Sequence, residues 1–180
     1  AIGKLAAIAS EEILYPEIAR ALALRGAEVF VHSSSETGSL QLTPKDVAKR
    51  ARAIENLAWV VSANSAGFMN GDLPTQSADG LSKIVDFQGL VKAEAAFGES
   101  SVACAEIDLA AQRRYRRRPG MGNILSRQRL ELFAEVYGGP AVYPANTLLD
   151  IHGAPRVPDR SHFAATQRAV IERLAASGLI

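Results

Sequence analysis

Cysteine is almost absent. Cys104 is the only one in 180 residues, so no intrachain disulfide can form, and the sequence fits a reducing, cytoplasmic compartment. Net charge is nearly absent too: at +1 the chain has no global field to draw in nucleic acid or an acidic membrane surface. No stretch approaches the roughly 18 consecutive apolar residues a membrane helix needs, and no basic-then-apolar leader opens the sequence. Internal repeats and low-complexity tracts are missing, and nothing calls for a metal or other cofactor. The chain starts at Ala1 without methionine, almost directly in a strand, which suggests a fragment or processed product. What remains is an ordinary globular composition, 48% apolar and 22% charged. A chain this long can bury roughly 70% of its extended surface.

The organising stretch is Gly3 to Glu36. Leu5 to Ala9 is an apolar run of strand length, and Ser10-Glu11-Glu12 places polar groups where it ends. Pro16 and Glu17 suit a first helical turn, and Gly26 a helix stop. Ile18, Ala21, Leu22 and the stem of Arg25 are expected to share the packed face. Ala27 to Val31 is a second apolar run, opening onto His32-Ser33-Ser34-Ser35-Glu36. Strand, helix, strand makes a right-handed parallel crossover. Ser10 and His32 then share the C-terminal edge of one sheet, where open α/β sheets hold ligands.

Further on, Thr43-Pro44-Lys45-Asp46 reads as a cap and first turn. Val47, Ala51, Ile54 and Ala58 recur at helical spacing, predicting an amphipathic helix over 44–58. Trp59 to Ala63 reads as a strand and 67–82 as a Gly-, Asp- and Pro-rich loop. Two strands follow about the turn Asp86-Phe87-Gln88-Gly89. Ser101 to Ile107 reads as another strand, with Cys104 a buried small hydrophobe inside it. Asp108 caps the next helix. The run Gln112 to Pro119 carries five arginines around Tyr115, and it is too narrow for an RNA footprint in a near-neutral chain. A short helix is expected after Ser126. An extended Gly- and Pro-rich arm then fills 138–158, and a last helix begins at a Ser161 cap.

Several segments resemble the nitrilase superfamily of carbon–nitrogen hydrolases. The longest is Pro16-Glu17-Ile18-Ala19-Arg20-Ala21-Leu22-Ala23-Leu24-Arg25-Gly26-Ala27-Glu28-Val29, which follows a strand-end nucleophile position. Arg52-Ala53-Ile54-Glu55-Asn56 before Val60 to Asn64, Gly80 to Gly89, and Ala105 to Leu109 match further family segments in order. The resemblance implies an α/β fold, half or more of a four-layer α-β-β-α sandwich. Residues 1–119 would form the C-terminal part of a carbon–nitrogen hydrolase domain. Residues 120–180 would form an extended arm with helices that packs on a partner.

The family attacks amides, nitriles or carbamoyl groups with a cysteine, a glutamate base and a lysine beside the oxyanion. Here Ser10 stands where the family has cysteine. The other two groups precede the nucleophile in family order, and of the nine residues before Ser10 the one lysine, Lys4, is not where the family places it. Three readings of Ser10 stay open: a substituted nucleophile, which motif length favours; a serine activated by His32; or a polar strand end. The implied catalytic groups are Ser10 and the backbone N–H of Glu11, which would face the oxyanion. Glu12, His32 and Ser33 are the expected substrate-binding residues. Arg52 and Glu55, one turn apart, read as a surface ion pair on a solvated helix face, or else as a subunit contact or a brace behind the site, and the ion pair is the favoured reading. The implied substrate is a small amide or nitrile. The implied partner is a second copy or a chain carrying the N-terminal half, with no nucleic acid or membrane involved. The alternative from another class is an inactive interaction module of the same fold.

Overall fold

The computed structural model describes residues 2–38, 42–68, 74, 78–139 and 141–179. Of the loop expected over 67–82, positions 69–73 and 75–77 lie outside the described residues. Two compact units follow one another, Ala1–Gln128 and Arg129–Ile180.

The first unit is built on a five-stranded sheet in the order β1-β2-β3-β4-β5. β1 (Leu5–Ala9), β2 (Val29–Ser34) and β3 (Trp59–Asn64) are parallel. β4 (Lys83–Val85) and β5 (Val91–Glu94) continue the sheet antiparallel. Helices α1 (Pro16–Leu24) and α2 (Pro44–Asn56) make the two crossovers and cover one face. Under them Ile8, Phe30, Val60 and Val85 meet Ile13, Ala19, Ala23, Ala48 and Ala53 in a closed core. Burying a side chain such as Phe30 contributes about 2–3 kcal/mol. α1 starts at its proline and ends before Gly26, whose φ of +98° a side chain would strain.

The other face is only partly covered. Val29, Trp59, Ile84 and Phe87 pack with Ala105, Ile107 and α3 (Leu109–Arg117). Toward β1 the surface is bare: Leu5 is 51% and Val31 43% exposed, and Ala7, Ala9 and Ser33 are exposed beside them. A sheet with helices on one face and an open apolar strip on the other is the shape of a partial sandwich.

The structure redraws several packed faces. α1 buries Ala19 and Ala23, while Ala21 and Arg25 turn to solvent. In α2 the inward face is Asp46, Ala48, Lys49, Arg52, Ala53 and Asn56, and Val47 and Ile54 face outward. Charged residues win those places because each finds a partner there, as described below. Residues 101–107 make no ladder, so Cys104 is exposed and not buried; its neighbours Ala103 and Ala105 take the inward positions. The hairpin turn is set by Asp86, whose side chain accepts from the N–H groups of Gln88 and Leu90, with Gly89 at φ +82°.

In the second unit, the short helix expected after Ser126 is replaced by 3-10 turns at Leu125–Arg127 and Leu130–Leu132, the first still in unit one, and by α4 (Ala134–Tyr137). α5 (Arg160–Ala176) is capped by Asp159, which accepts the N–H of His162. Ser161 donates its hydroxyl to Asp159 and is not itself the cap. No helix among the described residues is long and apolar enough to cross a membrane.

Candidate functional site

Ser10 is the first residue beyond β1 and opens a 3-10 turn, Ser10–Leu14. Its φ is +44°, a left-handed value that costs a residue with a Cβ about 1–2 kcal/mol. Such a turn persists only where its surroundings hold it.

Three groups hold it. Ile8 of β1 lies in register with His32 of β2, and His32 with Ser62 of β3. His32 therefore reaches the turn from beneath. Its Nε2 is 2.9 Å from the carbonyl oxygen of Ser10, and its Nδ1 is 2.8 Å from the Ser62 hydroxyl. A carbonyl can only accept, so Nε2 carries the proton and Nδ1 accepts from Ser62. Burial pushes the imidazole below its ordinary value, against the hydrogen bond to Ser10, which favours the charged form. At the far end of the turn, Arg52 of α2 donates to the carbonyls of Ile13 at 2.9 Å and Leu14 at 3.0 Å, and pairs with Glu55 at 2.8 Å. Arg52 is buried, and it braces the turn from behind. Glu12 folds its carboxylate back on the N–H of Ala9 at 2.7 Å, closing the turn's start.

The expected site residues thus separate by direction. Ser10 is half-buried at the strand edge, and Glu11 is exposed beside it. Glu11 stands in the first turn, where backbone N–H groups lack intrahelical acceptors. Ser33 projects on the open sheet face, alongside Ala9 in register. His32 and the Glu12 carboxylate are engaged with protein groups around the turn.

One group that sequence reasoning passed over reaches Ser10 directly. Lys45 of α2 donates from Nζ to Ser10 Oγ at 3.3 Å. Its helix is fixed by the Thr43 cap, which accepts the Asp46 N–H at 3.2 Å. A buried charge network holds the same end down. Lys49 lies 3.3 Å from both Glu36 and Asp46, and Lys83 lies 2.8 Å from Asp46 and 2.7 Å from Glu94. Burial works to raise the Asp46 carboxyl, but hydrogen bonding from Lys83 and the charge of Lys49 leave it lowered. For Lys83, burial works downward and its bonds to Asp46 and Glu94 leave it raised. Among the described residues, no group of three or more His, Cys, Asp or Glu could hold a metal ion.

The arginine helix is largely spent on structure. Arg113 grips Glu28 through two bonds, at 2.6 and 2.9 Å. Arg116 caps the carbonyls of Ala27, Asn56 and Leu57.

Comparison with known proteins follows the same outline. Residues 1–117 match the carbon–nitrogen hydrolase family profile. The nitrilase and fragile histidine triad fusion protein NitFhit of Caenorhabditis elegans is 33% identical over 109 residues, 61% of this chain and 24% of that protein. A carbon–nitrogen hydrolase from Helicobacter pylori G27 superimposes with a TM-score of 0.64 at 25% identity, over 76% of this chain and 50% of that one. An amidase of the nitrilase superfamily from Nesterenkonia AN1 shares the fold, with a TM-score of 0.57 at 24% identity, over 73% and 44%. The chain spans half or less of the length of each of these proteins. With the sheet, the crossovers and the strand-end turn all falling inside the matched region, the chain belongs to the carbon–nitrogen hydrolase family.

Proposed function

We propose that this chain is the nucleophile-bearing half of a hydrolase acting on small amides or nitriles, with Ser10 in the nucleophile's seat. The observation that carries the reading is the turn itself: a strained, half-buried Ser10 at a strand's C-terminal edge, held from three sides. The relatives' names point the same way. A structure of the Nesterenkonia amidase has the acetamide moiety of fluoroacetamide added covalently at the active-site cysteine.

In this reading the atom at position 10 attacks the carbonyl carbon, and the carbonyl electron pair moves onto oxygen, facing the Glu11 N–H. The C–N bond then breaks, ammonia leaves with the proton, and water cleaves the acyl intermediate. A serine hydroxyl is almost fully protonated at neutral pH, whereas a cysteine carries a few per cent thiolate, so attack by Ser10 is slow or absent. Lys4 does not supply the family's lysine. It lies at the opposite end of β1, where its backbone N–H donates to the Glu28 carboxylate at 3.0 Å and its ammonium sits over Gly26. The glutamate base and the family's lysine then come from outside these 180 residues, and the bare strip of Leu5, Ala7, Ala9 and Val31 is where a second sheet would lie. By itself the chain is inactive, working in the cytoplasm as part of an oligomer or with a partner chain, and residues 120–180 form the arm that packs on that partner.

The second reading, an inactive interaction module, draws on the same strip and on serine in place of sulfur. Ammonia release from aliphatic amides by the native assembly, before and after Ser10→Cys, separates the two. Release that appears or rises with the thiol supports the hydrolase. Silence from both forms, with the assembly intact by mass, supports the module.

A further inference from the structure

We propose that Lys45 is the cationic partner of the group at position 10, its ammonium aimed at Oγ and at the negative charge that develops there. This rests on reading Ser10 as the nucleophile's seat, but it concerns a residue from a different element, downstream of that seat. The observation is a contrast among three lysines on one rim. Lys49 is neutralised by Glu36 and Asp46, and Lys83 by Asp46 and Glu94. Lys45 is half-buried, and its hydrogen bond goes to Ser10 Oγ at 3.3 Å. No carboxylate among the described residues lies within ion-pair distance of it. A positive charge without a paired anion, donating to a nucleophile's atom, favours that atom's ionised form.

The position is built in. Pro44 and the Thr43 cap fix the first turn of α2, and the Asp46–Lys83 pair ties that turn to β4. Lys45 therefore starts from a fixed point and needs only its own side chain to reach the strand edge. The other charged or titratable groups around it are His32 from β2, Glu36 beyond β2, Asp46 and Lys49 from α2, Lys83 from β4, and Glu11 and Glu12 from the turn. His32 is held neutral by burial, and Glu36, Asp46, Lys49 and Lys83 cancel among themselves. The role is electrostatic, and no bond is made or broken at Nζ.

The test reads the site directly and does not depend on turnover. In a Cys104→Ser background, which removes the exposed thiol, Ser10→Cys leaves one thiol to titrate with iodoacetamide across pH. We expect the alkylation midpoint to fall below the ordinary thiol value of about 8.5. Lys45→Met should raise it by about one unit, slowing alkylation near neutral pH about tenfold and leaving the alkaline plateau unchanged. Lys45→Arg should restore most of the shift. A midpoint unmoved by Lys45→Met, or a change confined to the plateau, overturns the proposal. Because the thiol is read without substrate, a Lys45-dependent midpoint in an assembly that releases no ammonia upholds Lys45 and fails the hydrolase reading alone.

Discussion

His32 donates from Nε2 to the carbonyl oxygen of Ser10 at 2.9 Å, so a buried imidazole of β2 carries the strained residue that ends β1. This contact argues against His32 as a base for the serine. Its proton-bearing nitrogen faces the backbone and its other nitrogen faces Ser62. The ring acts on Ser10 through conformation.

Removing it should therefore cost stability and order together. His32→Leu strands the Ser62 hydroxyl and the Ser10 carbonyl, and an unsatisfied buried polar group costs about 1–3 kcal/mol. We expect a loss of about 2 kcal/mol or more in urea unfolding. His32→Gln keeps a donor near the Nε2 position and should lose about half as much. Equal losses from both variants would show that filling the space, and not the bond to Ser10, is what His32 provides.

The same imidazole sets a pH dependence. Burial lowers its folded pKa below the ordinary 6.5, so the unfolded chain binds more protons once pH drops under that value. The stability contributed by neutral His32 is complete above about 6.5 and is lost as pH falls through the lowered folded value. The slope is at most about 1.4 kcal/mol per pH unit. Urea midpoints at about pH 7.5 and pH 5 should separate in the natural protein and converge in His32→Gln. An imidazole proton titrating by NMR at or above 6.5 contradicts this.

How far these groups were readable from sequence differs by scale. β1 and the starts of α1 and α2 follow from apolar runs and first-turn prolines, signals carried by adjacent residues. The inward face of α2 was not readable by periodicity. Val47, Ala51 and Ile54 look like a buried stripe, yet Lys83 of β4, Glu36 and the carbonyls of the 3-10 turn offer partners to Asp46, Lys49 and Arg52, which take the inward face instead. Lys45 was invisible for a related reason: its meeting with Ser10 spans 35 residues and leaves no periodic trace. The Thr43 cap fixed the helix start but gave no hint of what lay opposite. Cys104 shows the limit for strands, since alternating small residues at 101–107 suit an extended segment whether or not it joins a ladder.

That inward face makes Asp46 the centre of a third prediction. It is 7% exposed and holds two buried ammonium groups, Lys49 and Lys83. Breaking a buried pair by deleting one partner costs about 3–5 kcal/mol, because the remaining charge stays desolvated. Asp46→Ala should approach that range in urea unfolding. Replacing Asp46, Lys49 and Lys83 together by apolar residues should cost less than the single change. A single variant within about 1 kcal/mol of the natural protein would mean that water or Glu36 and Glu94 already neutralise both lysines.

The arginine helix offers the opposite case, a pair with an exposed member. Hydrogen bonding from Arg113 is the chief cause that brings the Glu28 carboxyl from 4.5 down to about 2, with the Lys4 N–H adding to it and burial opposing. A carboxylate whose folded pKa is depressed contributes stability that is full above about 4.5 and lost as pH falls toward 2. Arg113 is 47% exposed at its side chain, so solvent screens the pair and discounts its contribution to stability. Arg113→Ala should raise the midpoint of acid unfolding and flatten the stability change between about pH 4.5 and 2. Arg114→Ala and Arg117→Ala, at exposed positions of the same helix, should leave the acid profile unchanged. If all three arginines shifted it equally, net positive charge and not the grip on Glu28 would govern acid stability. The run would then have to be read as a charged surface and not as a clamp between α3 and the start of β2.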